Sequence, residues 1–205
     1  MTVEPLPPFV GRNFVVRWSG SDQGPAGIAH YDVQYRVDGG PWTDWRMGVT
    51  FTQDEFTGGE DGRFYEFRAR GVDNAGNVEA FGGPEASTTA DFRPPSSRVN
   101  PLPALTRETT FTVSWTGSDA GSGIQYFDVR YRLDGGDWVP WQQQTTAASA
   151  LFTTMIDGIY DFEVRAVDNV GLQEAFTGQA EATIVVDARE PFIIPRLWFP
   201  FVAKQ

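Results

Sequence analysis

The sequence predicts an all-β chain made of two tandem seven-stranded sandwiches, and three observations carry that prediction. The first is an internal copy. Trp18-Ser-Gly-Ser-Asp22 followed by Ile28-Ala-His-Tyr-Asp-Val-Gln-Tyr-Arg36 returns as Trp115-Thr-Gly-Ser-Asp119 followed by Ile124-Gln-Tyr-Phe-Asp-Val-Arg-Tyr-Arg132. The second is strict alternation of apolar and polar residues inside each copy, the mark of a half-buried strand. The third is composition: 22 Gly, 14 Pro and 14% aromatics favour short strands and frequent turns over helices. We divide the chain into a first sandwich at 1–91, a Pro-rich linker at 92–97, a second sandwich at 98–188 and an extended apolar tail at 189–205.

Each copy enters through a proline pair, Pro5-Leu-Pro7 or Pro101-Leu-Pro103. Proline suits an edge strand, where no ladder donor is missed. In the next strand Phe14, Val16 and Trp18 share one face, as do Phe111, Val113 and Trp115. The Gly/Ser/Asp stretches at 19–27 and 116–123 are loops. The third strand turns Tyr31, Val33, Tyr35 and Val37 inward, matched by Phe127, Val129, Tyr131 and Leu133. Asp38-Gly-Gly40 and Asp134-Gly-Gly136 then supply the positive φ of a tight hairpin. After Trp42-Thr-Asp-Trp45 and Trp138-Val-Pro-Trp141, a further strand is expected over about 48–57 and 144–155. Phe64–Arg70 and Ile159–Arg165 alternate strongly, with Tyr65, Phe67 and Ala69, or Tyr160, Phe162 and Val164, inward. Both run into Asp-Asn-x-Gly turns at Asp73 and Asp168. A last strand ends near Asp91 or Asp187. The linker Arg93-Pro-Pro-Ser-Ser97 reads as short and semi-rigid, so the sandwiches are expected end to end.

These residues carry a resemblance. The tryptophan of the second strand, the Tyr-x-Phe-x-(Ala/Val) strand and the Asp-Asn-x-Gly turn, in order and twice, resemble fibronectin type III domains, which are immunoglobulin-like sandwiches. The likeness covers about residues 5–187 and is nearest to tandem copies in large secreted bacterial proteins. It implies that Tyr65 and Tyr160 are tyrosine-corner residues and that the chain is extracellular or on the cell surface. The family's Arg-Gly-Asp tripeptide is absent.

The topology makes the third and sixth strands antiparallel neighbours and so predicts specific partners. Asp32, Gln34 and Arg36 should face Arg70, Arg68 and Glu66. Asp128, Arg130 and Arg132 should face Arg165, Glu163 and Asp161. Complementary cross-strand pairs contribute roughly 0.2–1 kcal/mol each.

Composition narrows the function classes. A formal charge of −11 opposes nonspecific nucleic-acid binding, and no nucleic-acid partner is expected. No run of apolar residues is long enough for a transmembrane helix. Met1–Pro5 has neither the basic nor the apolar region of a leader, so a secreted parent would make this a mature fragment. With no cysteine and a single histidine, His30, disulfides, thiolate metal sites and a histidine triad are excluded. The chain is therefore expected to be non-catalytic and without cofactor, calcium apart. Asp22, Asp73 and Asn74, and likewise Asp119, Asp168 and Asn169, converge at one end of each sandwich, and calcium wants such oxygens. The competing reading is that these side chains simply cap their turns. Trp42, Trp45, Trp138 and Trp141 raise polysaccharide binding, although a spacing of three sends the two rings of each pair to opposite faces.

The tail breaks the repeat. Phe192, Ile193, Ile194, Leu197, Trp198, Phe199, Phe201 and Val202, interrupted by Pro195 and Pro200, form an apolar segment that is costly to leave solvated. It is expected either to fold back on the second sandwich or to dock on another subunit or surface protein, in a donor-strand or filament arrangement. The leading expectation is a structural or adhesive two-domain rod with the tail as its attachment. The alternative is an accessory carbohydrate-binding module of a secreted hydrolase.

Overall fold

A computed structural model of the chain describes residues 1–189. The expected tail contacts of Phe192 through Val202 lie outside the described residues.

In the first half, Phe14, Val16 and Trp18 are buried while Val15, Arg17 and Ser19 face solvent, so β3 (Phe14–Ser19) shows the alternation of a half-buried strand. It pairs with β1 (Thr2–Val3) on one side and β6 (Gln53–Phe56) on the other. The second sheet has the order β2 (Phe9–Val10), β8 (Ala86–Ala90), β7 (Phe64–Asp73), β4 (Ile28–Val37), β5 (Thr43–Val49). Prolines 5, 7 and 8 explain why the first strand is split. The chain before them pairs with β3, and the chain after them crosses to run parallel with β8.

The second half repeats the plan. β9 (Ser96–Val99), β11 (Thr110–Ser118) and β14 (Ser149–Thr153) form one sheet. The other has the order β10 (Leu105–Thr106), β16 (Ala182–Val186), β15 (Gly158–Asp168), β12 (Ile124–Leu133), β13 (Val139–Thr145).

Each pair of sheets closes on an aromatic core. Phe56 and Phe67 meet edge to face at 5.3 Å, as Phe152 and Phe162 do at 5.0 Å. Trp18 and Trp115 are the largest fully buried side chains. Full burial of one such apolar side chain contributes roughly 1.5–3 kcal/mol. Both tyrosine corners are formed. The Tyr65 hydroxyl accepts from the Glu60 amide at 2.7 Å, and the Tyr160 hydroxyl donates to the Ile156 carbonyl at 3.0 Å.

The cross-strand partners are those the sequence predicts. β4 and β7 pair Asp32 with Arg70, Gln34 with Arg68 and Arg36 with Glu66. β12 and β15 pair Asp128 with Arg165, Arg130 with Glu163 and Arg132 with Asp161. All the oppositely charged rungs close as ion pairs at 2.5–2.8 Å.

The paired acids Asp32, Asp161 and Glu163 are buried, because aromatic side chains lie over the arginines that pair with them. In the first sheet Arg70 and Arg68 flank Phe81, while Arg68 and Arg36 lie over Trp42, at 4.0–4.8 Å from the ring centres. In the second, Arg165 and Arg130 flank Phe176, and Arg130 and Arg132 lie over Trp138. The strand expected over 48–57 and 144–155 is instead two strands on different sheets, β5 then β6 and β13 then β14. A bulge and a left-handed residue (Gly48 or Gln144) hide the period of two there. Finally, 92–97 is not all linker, because Ser96 and Ser97 pair with Ser118 and Gly117 in β9.

Candidate functional site

Two places gather polar side chains beyond what the sheets need: the outer face of the second β12–β13–β15 sheet, and the loops where the two sandwiches meet.

The outer face carries an open depression of about 720 Å³. Trp138 and Phe176 form its aromatic wall with Arg130 and Arg165 between them, Tyr126 lines it further along β12, and Gln142, Gln143, Gln144 and Gln173 add amides. The first repeat has His30, Arg46, Met47, Gly48 and Val78 at the places of Tyr126, these three strand glutamines and Gln173. Gln144 is informative. It holds φ of 50°, the left-handed region that Gly48 occupies at 65° in the first repeat. A side chain there costs about 1 kcal/mol relative to an unstrained position. Its amide still donates to Asp128 Oδ1 at 2.8 Å, as the Gly48 amide does to Asp32 Oδ1. The backbone job needs only glycine, so the side chain is an addition to the depression.

The tryptophans divide as their spacing predicts. Trp45 and Trp141 pack inward on the two cores, edge to face with Trp18 and Trp115. Trp42 and Trp138 lie outward, each with two guanidinium groups over its ring. No exposed pair of coplanar rings forms among them.

At the loop end of the first repeat, the side chains considered for calcium act as turn caps. Asp22 accepts from the Gly24 and Gly27 amides through its two oxygens, both at 2.9 Å. Asp73 Oδ1 accepts from the Ala75 and Asn77 amides, and its Oδ2 accepts from Asn77 Nδ2 at 2.7 Å. Asn74 donates to the Ala26 and Gly27 carbonyls.

The second repeat uses the same residues with a different outcome. Asp119 Oδ2 accepts from both Gly121 and Gly123, leaving Oδ1 buried and unpartnered. Asp168 Oδ1 accepts from Val170 and Leu172, and Oδ2 is left bare. Asn169 again ties the two loops, donating to the Ser122 and Gly123 carbonyls. A third carboxylate arrives from outside the repeat: Asp91, just after β8, accepts from the Ser122 amide at 2.7 Å and lies close to Asp119 and Asp168. Burial pushes the Asp168 carboxyl above its ordinary value, against its two amide hydrogen bonds, and the charges of Asp91 and Asp119 push it further. In the sequence Asp91 reads only as the end of a strand, and the signal for more is the mismatch between Asn77 and Leu172 at otherwise matching turns.

No family model matches the chain. The chain is 33% identical over 186 residues to Exoglucanase B of Cellulomonas fimi, a match that takes in 86% of this chain and 16% of that enzyme's length. Similar solved structures include the FN1–FN3 domains of chicken CNTN1, at 12% identity and a TM-score of 0.48, covering 90% of this chain and 66% of that one. A two-domain fibronectin type III segment of chicken tenascin shows 14% identity and a TM-score of 0.35, covering 90% and 96%. The fold assignment rests on the strand order itself. In both halves a three-stranded sheet faces a sheet in which the sixth strand lies between the third and seventh, and both carry the tyrosine corner. The chain is a tandem pair of fibronectin type III-like β-sandwiches.

Proposed function

We propose that the chain is a non-catalytic accessory region of a secreted polysaccharide-degrading enzyme, extracellular in location, and that the depression on its second sandwich contacts the polysaccharide. The observation that carries this reading is the match to Exoglucanase B, which spans most of this chain and a small share of that enzyme. A segment of that size suits an appended module. A non-catalytic role is further supported by the strand acids: Asp32, Glu66, Asp128, Asp161 and Glu163 are engaged by arginines across the sheet. The depression supplies what a sugar surface needs, aromatic carbon beside amides that both donate and accept. The strained Gln144 points the same way.

The test is retention of the chain on insoluble cellulose and in gels containing soluble β-glucans. Wild type should be retained, and Tyr126→Ala should weaken retention several-fold. Gln144→Gly should weaken it too while stabilising the fold by about 1 kcal/mol. A wild-type chain that passes every polysaccharide unretained, or retention untouched by both substitutions, would remove the depression from the proposal.

A further inference from the structure

We propose that Asp91, Asp119 and Asp168 form a calcium site where the two sandwiches join, clamping the end of the first repeat's last strand to the loops of the second. Each brings a carboxylate oxygen within 4.8 Å of the others. Two ligands about 2.4 Å from one ion stand at most twice that distance apart, so the spacing fits a shared calcium. Among the described residues none of the three is in a salt bridge, whereas the sheet acids are.

The independent observation is the set of bare oxygens. Asp168 is fully buried, and its Oδ2 has no partner. Asp119 Oδ1 and the hydroxyl of Ser122, itself 8% exposed, are also buried without partners. Ser122 belongs to the same loop, since its amide donates to Asp91. Buried polar groups are seldom left unpaired, and a buried carboxylate needs a cation or strong donors. In the first repeat Asn77 Nδ2 fills the corresponding oxygen of Asp73. In the second, Leu172 stands at that position, and its side chain has no donor for Oδ2.

The approach across the junction is also built. A Cβ at Gly121 would collide with the Asp91 carboxylate, so only glycine lets the loop pass this close. The donors are all oxygen, with no imidazole or thiolate, which selects a hard cation over zinc. Calcium accepts six to eight oxygens at 2.3–2.6 Å in flexible geometry, so three carboxylates, a hydroxyl and water suit it better than magnesium's rigid octahedron. This inference is independent of polysaccharide contact.

The test is calorimetric titration of the chelator-treated full chain with calcium chloride near neutral pH. We expect one site with a Kd on the order of 10⁻⁴–10⁻³ M, the range of extracellular modules. Saturating calcium should raise the unfolding midpoint by about 5 °C, and magnesium at the same concentration should not. Leu172→Asn supplies an amide to Asp168 Oδ2, so it should retain the fold and bind calcium at least tenfold more weakly. Asp91→Asn, placed on the other side of the junction, should do the same, while Asp73→Asn leaves calcium affinity unchanged. A wild-type chain that takes up no calcium, an equal response to magnesium, or wild-type affinity in both Leu172→Asn and Asp91→Asn overturns the site.

Discussion

At the loop end of the first repeat both oxygens of Asp22 and both oxygens of Asp73 receive hydrogen bonds, whereas at the same end of the second repeat Asp119 and Asp168 each keep one oxygen bare. The backbone plan is shared, down to the Asn74 and Asn169 side chains that tie the same two loops together. The loop is one residue shorter in the second copy, so Asp119 satisfies Gly121 and Gly123 with a single oxygen. Replacement of Asn77 by Leu172 frees the other oxygen on Asp168. An unpaired group common to both copies is a property of the scaffold, as with the buried indole nitrogens of Trp18 and Trp115. Groups unpaired in only one copy mark where that copy has acquired something of its own.

The middle rung of the charged face separates the repeats most sharply. In the second repeat Glu163 is fully buried and holds Arg130, the Thr177 amide and hydroxyl and the Gly178 amide. In the first, the polarity is reversed: Arg68 sits on β7, facing the neutral Gln34. Glu163→Ala strands a partly buried guanidinium and three donors, and should cost about 3–5 kcal/mol in urea unfolding of the second sandwich. Gln34→Ala removes a neutral partner from Arg68, which keeps its bond to the Gly82 carbonyl, and should cost about 1 kcal/mol. Equal losses would mean that the reversal is neutral. The next effect in size is at the turn. Asn77→Leu copies the second repeat into the first and should destabilise it by about 1–2 kcal/mol, by leaving Asp73 Oδ2 without its donor. It should not create a calcium site, because the third acid at that end, Glu79, is already held by the Met1 ammonium and the Gly71 amide.

Most of the fold was legible because period-two patterns do not depend on distant residues. Phe14, Val16 and Trp18 declare a buried face by themselves, and antiparallel register then fixes Asp128 opposite Arg165 without further information. The same logic sends Trp45 inward and Trp42 outward. Legibility ended where the backbone leaves the period or where the partner is far along the chain. β5 and β13 contain a bulge with a left-handed residue, so Thr43–Val49 and Val139–Thr145 do not read as strands. Asp91 acquires its role only through the loop that the next sandwich brings to it across the linker. Gln144 looks like one glutamine among three, and its strain exists only in the folded chain.

The smallest expected difference concerns a feature the repeats share. Glu85 receives the Val3 and Ala69 amides, and Glu181 receives Val99 and Val164, each tying the first strand of its sandwich to the sixth. Burial pushes both carboxyls above the ordinary glutamate value, against the pull of those amides. In the second repeat Glu163 and Glu174 lie near enough to push Glu181 up further, and in the first Glu79 does so for Glu85 while the N-terminal ammonium pulls it back. A raised carboxyl binds its proton more tightly in the folded state than in the unfolded one. Its favourable contribution is therefore full below the unfolded value and is lost as pH rises through the folded one. Stability of each sandwich should accordingly carry a component that strengthens on going from neutral pH down toward the ordinary glutamate range. Surface acids held low by partners, such as Asp54 under the Arg46 hydrogen bond, oppose it at the acid end. Comparing each sandwich with its own neutral variant isolates the component. The difference in unfolding free energy between wild type and Glu181→Gln should change with pH across that window, and the corresponding difference for Glu85→Gln should change less, because the ammonium of Met1 offsets part of the burial. A pH-independent difference for Glu181→Gln would show that its carboxyl titrates alike in both states and that the two amides fully compensate its burial.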